Sequence, residues 1–258
     1  MSWFVRTLKG PLSGVGILAG QVLYAAHRGD MPGLPNQDPS GVFGSPGCPR
    51  LRIALLGDSS ITAPGVTPLD AAWPRRIAHH IGDRFRVELV SFAVGGAKAR
   101  DVIAVQLEPA IESGADLAFL SVGANDALRG TPVQRFEREV TVILEGLTSV
   151  TQGVGLGGVG DLGTVPRLPT LARGVGRVRG RSIDQALVRA AARFPDVVKG
   201  SAWGPQWRIF EDGDPDVVFA ADRFHASAIG HACFAAALEP VVDELVTRRE
   251  LRPSRSIG

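Results

Sequence analysis

Residues 51–56, Leu-Arg-Ile-Ala-Leu-Leu, form a near-continuous apolar run that stops at Gly57. A strand buried on both faces reads this way, and such strands belong to parallel sheets with helices on either side. Similar runs return at 85–93, 115–122, 153–159 and 196–199. Between and after them lie segments of helical period at 70–81, 99–113, 132–150, 181–193 and 226–248. This alternation predicts an α/β fold of three layers, α/β/α, around a central, mostly parallel sheet. Ligands of such sheets bind beyond the carboxyl ends of the strands. One domain over 51–248 accounts for the pattern, without an internal repeat or a second domain. The part before it, 1–50, reads as an amino-terminal helix followed by a Pro/Gly-rich extended linker over 28–49, and 249–258 reads as a flexible tail.

Composition narrows the function classes. A formal net charge of +2 on 258 residues gives no electrostatic case for nucleic acid. Two cysteines far apart, Cys48 and Cys233, exclude a disulfide scaffold and a cysteine-built zinc site. Near the start, Arg6 and Lys9 precede an apolar stretch at 11–26, broken only by Ser13 and Gln21. It falls short of the roughly 20 apolar residues of a spanning helix. Tyr24 sits where cleavage after Ala26 needs a small residue. The expectation is an uncleaved amphipathic helix lying on a cytoplasmic domain, with weak peripheral membrane association and a true signal or anchor as the other readings.

Four short segments fall where the sheet rule places a site. Gly57-Asp58-Ser59-Ser60 follows the first strand, Val94-Gly95-Gly96-Ala97 the second and Gly123-Ala124-Asn125-Asp126 the third, while Asp222-Arg223-Phe224-His225 precedes the last helix. Acyl transfer by serine needs a hydroxyl, a base, a group orienting that base, and donors for the oxyanion. The four segments hold all of these. Each also has a plainer reading. Ser59 is a fit helix cap, with Ser60 then the reactive hydroxyl. Asp222 and His225 fit a turn and a helix start, and Asn125 an Asx turn. Gly96 fits a turn requiring positive φ, with Gly95 as the neighbour able to take its place. The order and the placement after successive strands favour the catalytic reading.

With these blocks in that order, from about Ile53 to His231, the chain resembles the SGNH hydrolases, also called GDSL esterases and lipases. The resemblance implies their flavodoxin-like fold, a Ser59 nucleophile, an Asp222–His225 pair, and an oxyanion hole from the N–H groups of Ser59 and Gly96 and the Asn125 amide. It departs in the second block, where the asparagine often found several residues before the glycine is replaced by Ser91. The run Asp58-Ser59-Ser60-Ile61-Thr62-Ala63-Pro64-Gly65 is similar to the mycobacterial diglucosylglycerate octanoyltransferases, and the Ala/Arg/Gly/Val-rich composition resembles actinobacterial chains. That likeness implies a medium-chain, octanoyl-type acyl group passed from an acyl-coenzyme A or ester to a sugar hydroxyl. With water as acceptor the same chemistry makes an esterase. A catalytically silent carbohydrate-binding module is the alternative of another class. No metal or redox cofactor is implied.

Other features rank lower. Gly155-x-Gly157-x-x-Gly160 matches a dinucleotide fingerprint, but Pro166 follows too soon for the required helix. Gly-x-Ser-x-Gly is absent around Ser59. His79 and His80 are adjacent and diverge on a helix, a poor metal pair. His231 reads as structural, and Asp58 as a brace of its turn. Arg173, Arg177, Arg179 and Arg181 read first as a solvated basic stretch, and second as an anion site for a donor phosphate or a sugar carboxylate. Trp203 and Trp207 read as packing residues or as walls of an acyl or sugar pocket.

Overall fold

The computed structural model describes residues 32–251. Six strands are found there: β1 (Gly41–Phe43), β2 (Arg50–Gly57), β3 (Arg86–Ser91), β4 (Leu117–Ser121), β5 (Val154–Leu156) and β6 (Val197–Lys199). They form one sheet in the order β1-β3-β2-β4-β5-β6. All neighbours are parallel except β1, which pairs antiparallel with β3. The longer helices are α1 (Trp73–His80), α2 (Ala99–Val105), α3 (Leu107–Glu112), α4 (Ala124–Leu128), α5 (Val133–Val150), α6 (Thr170–Ala191) and α7 (Ala228–Leu251).

Successive strand residues face opposite ways, so one apolar run supplies two cores. Leu51, Ile53 and Leu55 of β2 join Leu117 and Phe119 of β4 under α1 and α7. Ala54 and Leu56 join Ala118 and Leu120 under α2, α5 and α6. This is the expected three-layer α/β/α arrangement. From β2 the chain steps to β3 on one side and to β4 on the other. The carboxyl end of β2 is therefore where connections diverge and a crevice opens.

Four expectations need correction. Residues 32–49 are not a free linker: β1 closes the sheet edge, and Asn36 and Gln37 strap the turn after β2. The helix expected over 99–113 is two, because Pro109 has no N–H to continue the ladder past Val105. The helix expected at 181 begins at Thr170. Its glycines imitate a loop in sequence, yet a Cβ at Gly180 would stand 2.7 Å from the Gly160 carbonyl, so they let the helix approach residues 160–163 closely. Finally, α7 runs to Leu251, past the expected start of the tail at 249. The helix expected at 11–26 lies outside the described residues. No helix among the described residues is long and apolar enough to cross a membrane.

Candidate active site

The nucleophile turn is set by a glycine. Gly57 has φ +147, and a Cβ there would stand 1.9 Å from the Ser121 carbonyl oxygen. Glycine lets the chain turn against β4, so that the Asp58 N–H donates to that carbonyl at 3.1 Å. Buried Gln106, at the break between α2 and α3, holds both backbone groups of Gly57: Nε2 donates to its carbonyl at 2.9 Å and Oε1 accepts from its N–H at 2.8 Å. The Asp58 carboxylate caps the single helical turn Ser59–Thr62 by accepting from the Ser60 N–H at 2.9 Å. Ser60 Oγ lies 2.7 Å from Ser121 Oγ. Ser59 lines the adjoining cavity, and no described residue holds its hydroxyl. That difference favours Ser59 over Ser60.

The Asp222–His225 pair is built by a tight turn. Asp222 is 2% exposed. Its Oδ1 accepts from the N–H groups of Phe224 and His225 at 3.0 Å each, and its Oδ2 lies 2.6 Å from His225 Nδ1. A carboxylate partner assigns the proton to Nδ1 and leaves the Nε2 lone pair free. Burial opposes the Asp222 charge, but the His225 ring and the two N–H groups outweigh it, and the carboxyl is held below its usual range. Arg223 takes the left-handed φ of +54 that closes this turn, and its guanidinium pairs with Asp216. His225 lines the same cavity as Ser59.

Asn125 reaches the nucleophile turn through Asp58. It is 9% exposed, and its Nδ2 donates to Asp58 Oδ2 at 3.2 Å. Burial pushes the Asp58 carboxyl up, against the pull of Ser60, Asn125 and the His225 charge. Asp58 is thus the expected brace, and it also aims the amide. Gly96 has φ +80, whereas Gly95 lacks a positive φ and packs on the Asn36 side chain, where a Cβ would fall 2.0 Å from Oδ1. Asn36 Oδ1 also accepts from Thr62 Oγ1 at 2.8 Å. One side chain therefore bridges the nucleophile turn and the oxyanion loop. The sequence reading missed it, and its only signal is an Asn-Gln pair amid prolines.

Behind Ser59 and His225 lies a cavity of about 270 Å³. One wall is aromatic: the Trp207 ring lies 6.1 Å from Phe210 and 5.6 Å from Phe234, and Phe210 lies 5.6 Å from Phe219. Leu162, Val165 and Leu238 extend this apolar lining. Trp203 and Trp207 both line it, and Trp207 Nε1 donates to the Ser201 carbonyl at 3.1 Å.

The arginines serve other ends. Arg173 donates to the carbonyls of Leu168 (2.9 Å) and Pro166 (2.7 Å), and Arg179 to that of Thr131 (2.5 Å). Arg177 pairs with Asp161 at 2.6 Å and Glu211 at 3.6 Å, and Arg181 covers the Trp203 ring at 5.5 Å. Arg173 and Arg179 are engaged with internal carbonyls and depart from both readings, whereas Arg177, 54% exposed, and exposed Arg181 fit the first, a solvated basic stretch. Arg173 and Arg177 are not brought to the cavity. His80 lies 3.0 Å from Asp243, and no group of three or more metal-ligating side chains occurs among the described residues.

A serine turn at the switch point of a parallel α/β sheet, with an Asp–His pair at the same largely apolar cavity, is the arrangement of an SGNH-type site. Residues 55–233 match the model of the GDSL-like lipase/acylhydrolase family, and the chain belongs to that family. It is 25% identical over 206 residues to a GDSL-like esterase of Mycobacterium tuberculosis, covering 77% of this chain and 64% of the relative, so it spans less than two thirds of that protein. A lipolytic G-D-S-L family protein of Veillonella parvula superposes with a TM-score of 0.61 at 18% identity, over 76% of this chain and 100% of that one. A lipase/acylhydrolase of Enterococcus faecalis gives a TM-score of 0.59 at 19% identity, over 80% and 100%. These two likenesses show the fold.

Proposed function

We propose that this chain is a serine enzyme that takes apolar, medium-length acyl groups from esters. The supporting observation is the Asp222–His225 contact of 2.6 Å on the cavity that Ser59 also lines. His225 Nε2 takes the proton of Ser59 Oγ as the oxygen attacks the ester carbonyl. Asp222 holds the ring and stabilises the imidazolium. The N–H groups of Ser59 and Gly96 and the Asn125 amide receive the oxyanion. His225 returns the proton to the leaving alcohol, and acyl-Ser59 forms. Water, deprotonated by His225, then releases the acid. The acyl chain lies along Trp207, Phe210 and Phe234.

A second reading keeps the same acyl-enzyme and replaces water by a sugar hydroxyl. The likeness of 58–65 to diglucosylglycerate octanoyltransferases favours it, and Trp203 offers a ring face at the cavity. The expected anion clamp of Arg173 and Arg177 is not part of it. The test supplies aryl esters from acetyl to dodecanoyl, and octanoyl-coenzyme A with and without a glucosylglycerate acceptor. Optimal turnover at intermediate length supports the acyl assignment, and a flat or acetyl-peaked profile overturns it. Acylated sugar in excess over free acid at saturating acceptor would select the transferase, and free acid in excess the esterase.

A further inference from the structure

His231, six residues beyond His225 on α7, is 1% exposed and lines the cavity. The backbone N–H of Trp73 donates to its Nδ1 at 3.2 Å. A backbone amide can only donate, so Nδ1 carries the lone pair and the proton of the neutral ring sits on Nε2. Burial first, then the charges of His225 and Arg76, hold its pKa down to about 3. The ring is therefore neutral at any working pH, with Nε2–H as a fixed donor. Nε2 has no partner among the described residues, and it is not among the side-chain atoms sealed from solvent without one.

Two hydroxyls line the same cavity. Trp73 also binds the Ser60 carbonyl through its indole N–H at 2.6 Å, so one residue ties His231 to the Ser59 turn. Ser60 Oγ and Ser121 Oγ share one hydrogen bond at 2.7 Å. Ser60 also hydrogen-bonds the Asp58 carboxylate through its side chain, so both hydroxyl protons are engaged and His231 Nε2 is the uncommitted donor. Of the charged residues lining the same cavity, Asp58 is held by Ser60 and Asn125, Arg208 by Asp212 at 3.0 Å, and Asp161 and Glu211 by Arg177 at 2.6 and 3.6 Å. A largely apolar cavity thus presents an uncommitted donor, His231 Nε2, on a ring that packs 5.3 Å from Phe234 of the aromatic wall.

We propose that His231 Nε2–H is the donor of a polar subsite in the acyl cavity that receives a neutral oxygen carried by the acyl chain a few bonds from the reacting carbonyl, as in a 3-hydroxyacyl group. The proposal rests on the acyl assignment made above. A site built to hydrogen-bond a substrate oxygen discriminates against the analogue that lacks it, because its donors are then left unpaired.

The test compares matched aryl esters of 3-hydroxyoctanoate and octanoate. The wild-type protein is expected to favour the hydroxy ester in kcat/KM by about tenfold. His231→Phe, which removes the donor, is expected to bring the two esters to parity, and His231→Gln to restore part of the preference. Equal or better use of plain octanoate by the wild-type protein overturns the proposal, whatever the variants do. Labelling by a fluorophosphonate separates the two failures. If Ser59 is labelled and octanoate is preferred, the polar subsite alone is wrong. If Ser59 is not labelled and neither ester is turned over, the acyl assignment fails and the subsite with it.

Discussion

The turn that carries Ser59 and the arch that leads to the Asp222–His225 pair are held by different physics. Around Ser59 the backbone is fixed by directional bonds from remote segments. Gln106 grips Gly57, Asp58 caps the turn, and the Gln37 N–H donates to the Thr62 carbonyl at 2.8 Å. Gln37 Nε2 adds bonds to the carbonyls of Ala63 (2.6 Å) and Val66 (3.1 Å). The arch leading to His225 is different. Residues 200–219 form short turns held by the packing of Trp207, Phe210, Phe219 and Phe234, and by exposed pairs such as Arg208–Asp212. Hydrogen bonds specify position sharply, whereas ring packing is non-directional and tolerates repacking. Substitutions on the nucleophile side are therefore expected to change the rate of chemistry, and those on the arch to change which acyl group is accepted.

The largest effect tests the nucleophile side. Ser59→Ala is expected to lower kcat by roughly 10⁴-fold or more with the melting temperature unchanged, whereas Ser60→Ala keeps most activity. The reverse pattern would move the nucleophile by one residue. On the arch, Trp207→Ala is expected to lower kcat/KM for an octanoyl ester about 10- to 100-fold while leaving an acetyl ester nearly untouched. Equal losses on both esters would mean that the arch positions His225 rather than the acyl chain.

A smaller effect concerns the strap. Asn36→Ala removes the acceptor of the Thr62 hydroxyl and is expected to cost about 1 kcal/mol of stability and several-fold in kcat. Gly95→Ala collides with the same side chain, so the double variant is expected to be less impaired than the two single losses combined. Simple additivity in denaturation would sever this bridge between turn and oxyanion loop. The smallest effect is electrostatic. Because burial raises the folded pKa of Asp58 above 3.8, its ionisation disfavours the fold, so stability is lost as pH rises through the folded value. Asp58→Asn keeps the cap and carries no charge. Its stability relative to wild type is expected to grow as pH rises from about 4, and melting curves across that range would show a constant or shrinking difference if the account is wrong.

What the sequence made legible follows the same division. Strand runs and the residues at their ends were readable because buried β2 and β4 must be apolar, and because a parallel sheet confines a site to its carboxyl edge. Ser59, Asn125, Asp222 and His225 sit on such ends or on one tight turn, within reach of local pattern. Asn36 was not readable, since its partners Thr62 and Gly95 meet it only through tertiary packing. Arg173 and Arg179 of α6 misled because charge density carries no information about internal carbonyls. Gly176 and Gly180 hid the first half of that helix, since a glycine chosen for close approach looks like one chosen for a loop. His231 read as structural by position alone, and its fixed tautomer depends on a Trp73 N–H brought there by α1.

The central claim is that Ser59, activated by the Asp222–His225 pair, carries the acyl group. The most direct measurement is intact-protein mass spectrometry with peptide mapping, after rapid acid quench of the chain mixed with an octanoyl aryl ester, alongside a fluorophosphonate-treated sample. The account predicts one octanoyl and one phosphonyl adduct, both on Ser59, and both lost in Ser59→Ala and strongly slowed in His225→Ala. Adducts on Ser60, or no adduct from either reagent on the folded chain, would contradict it.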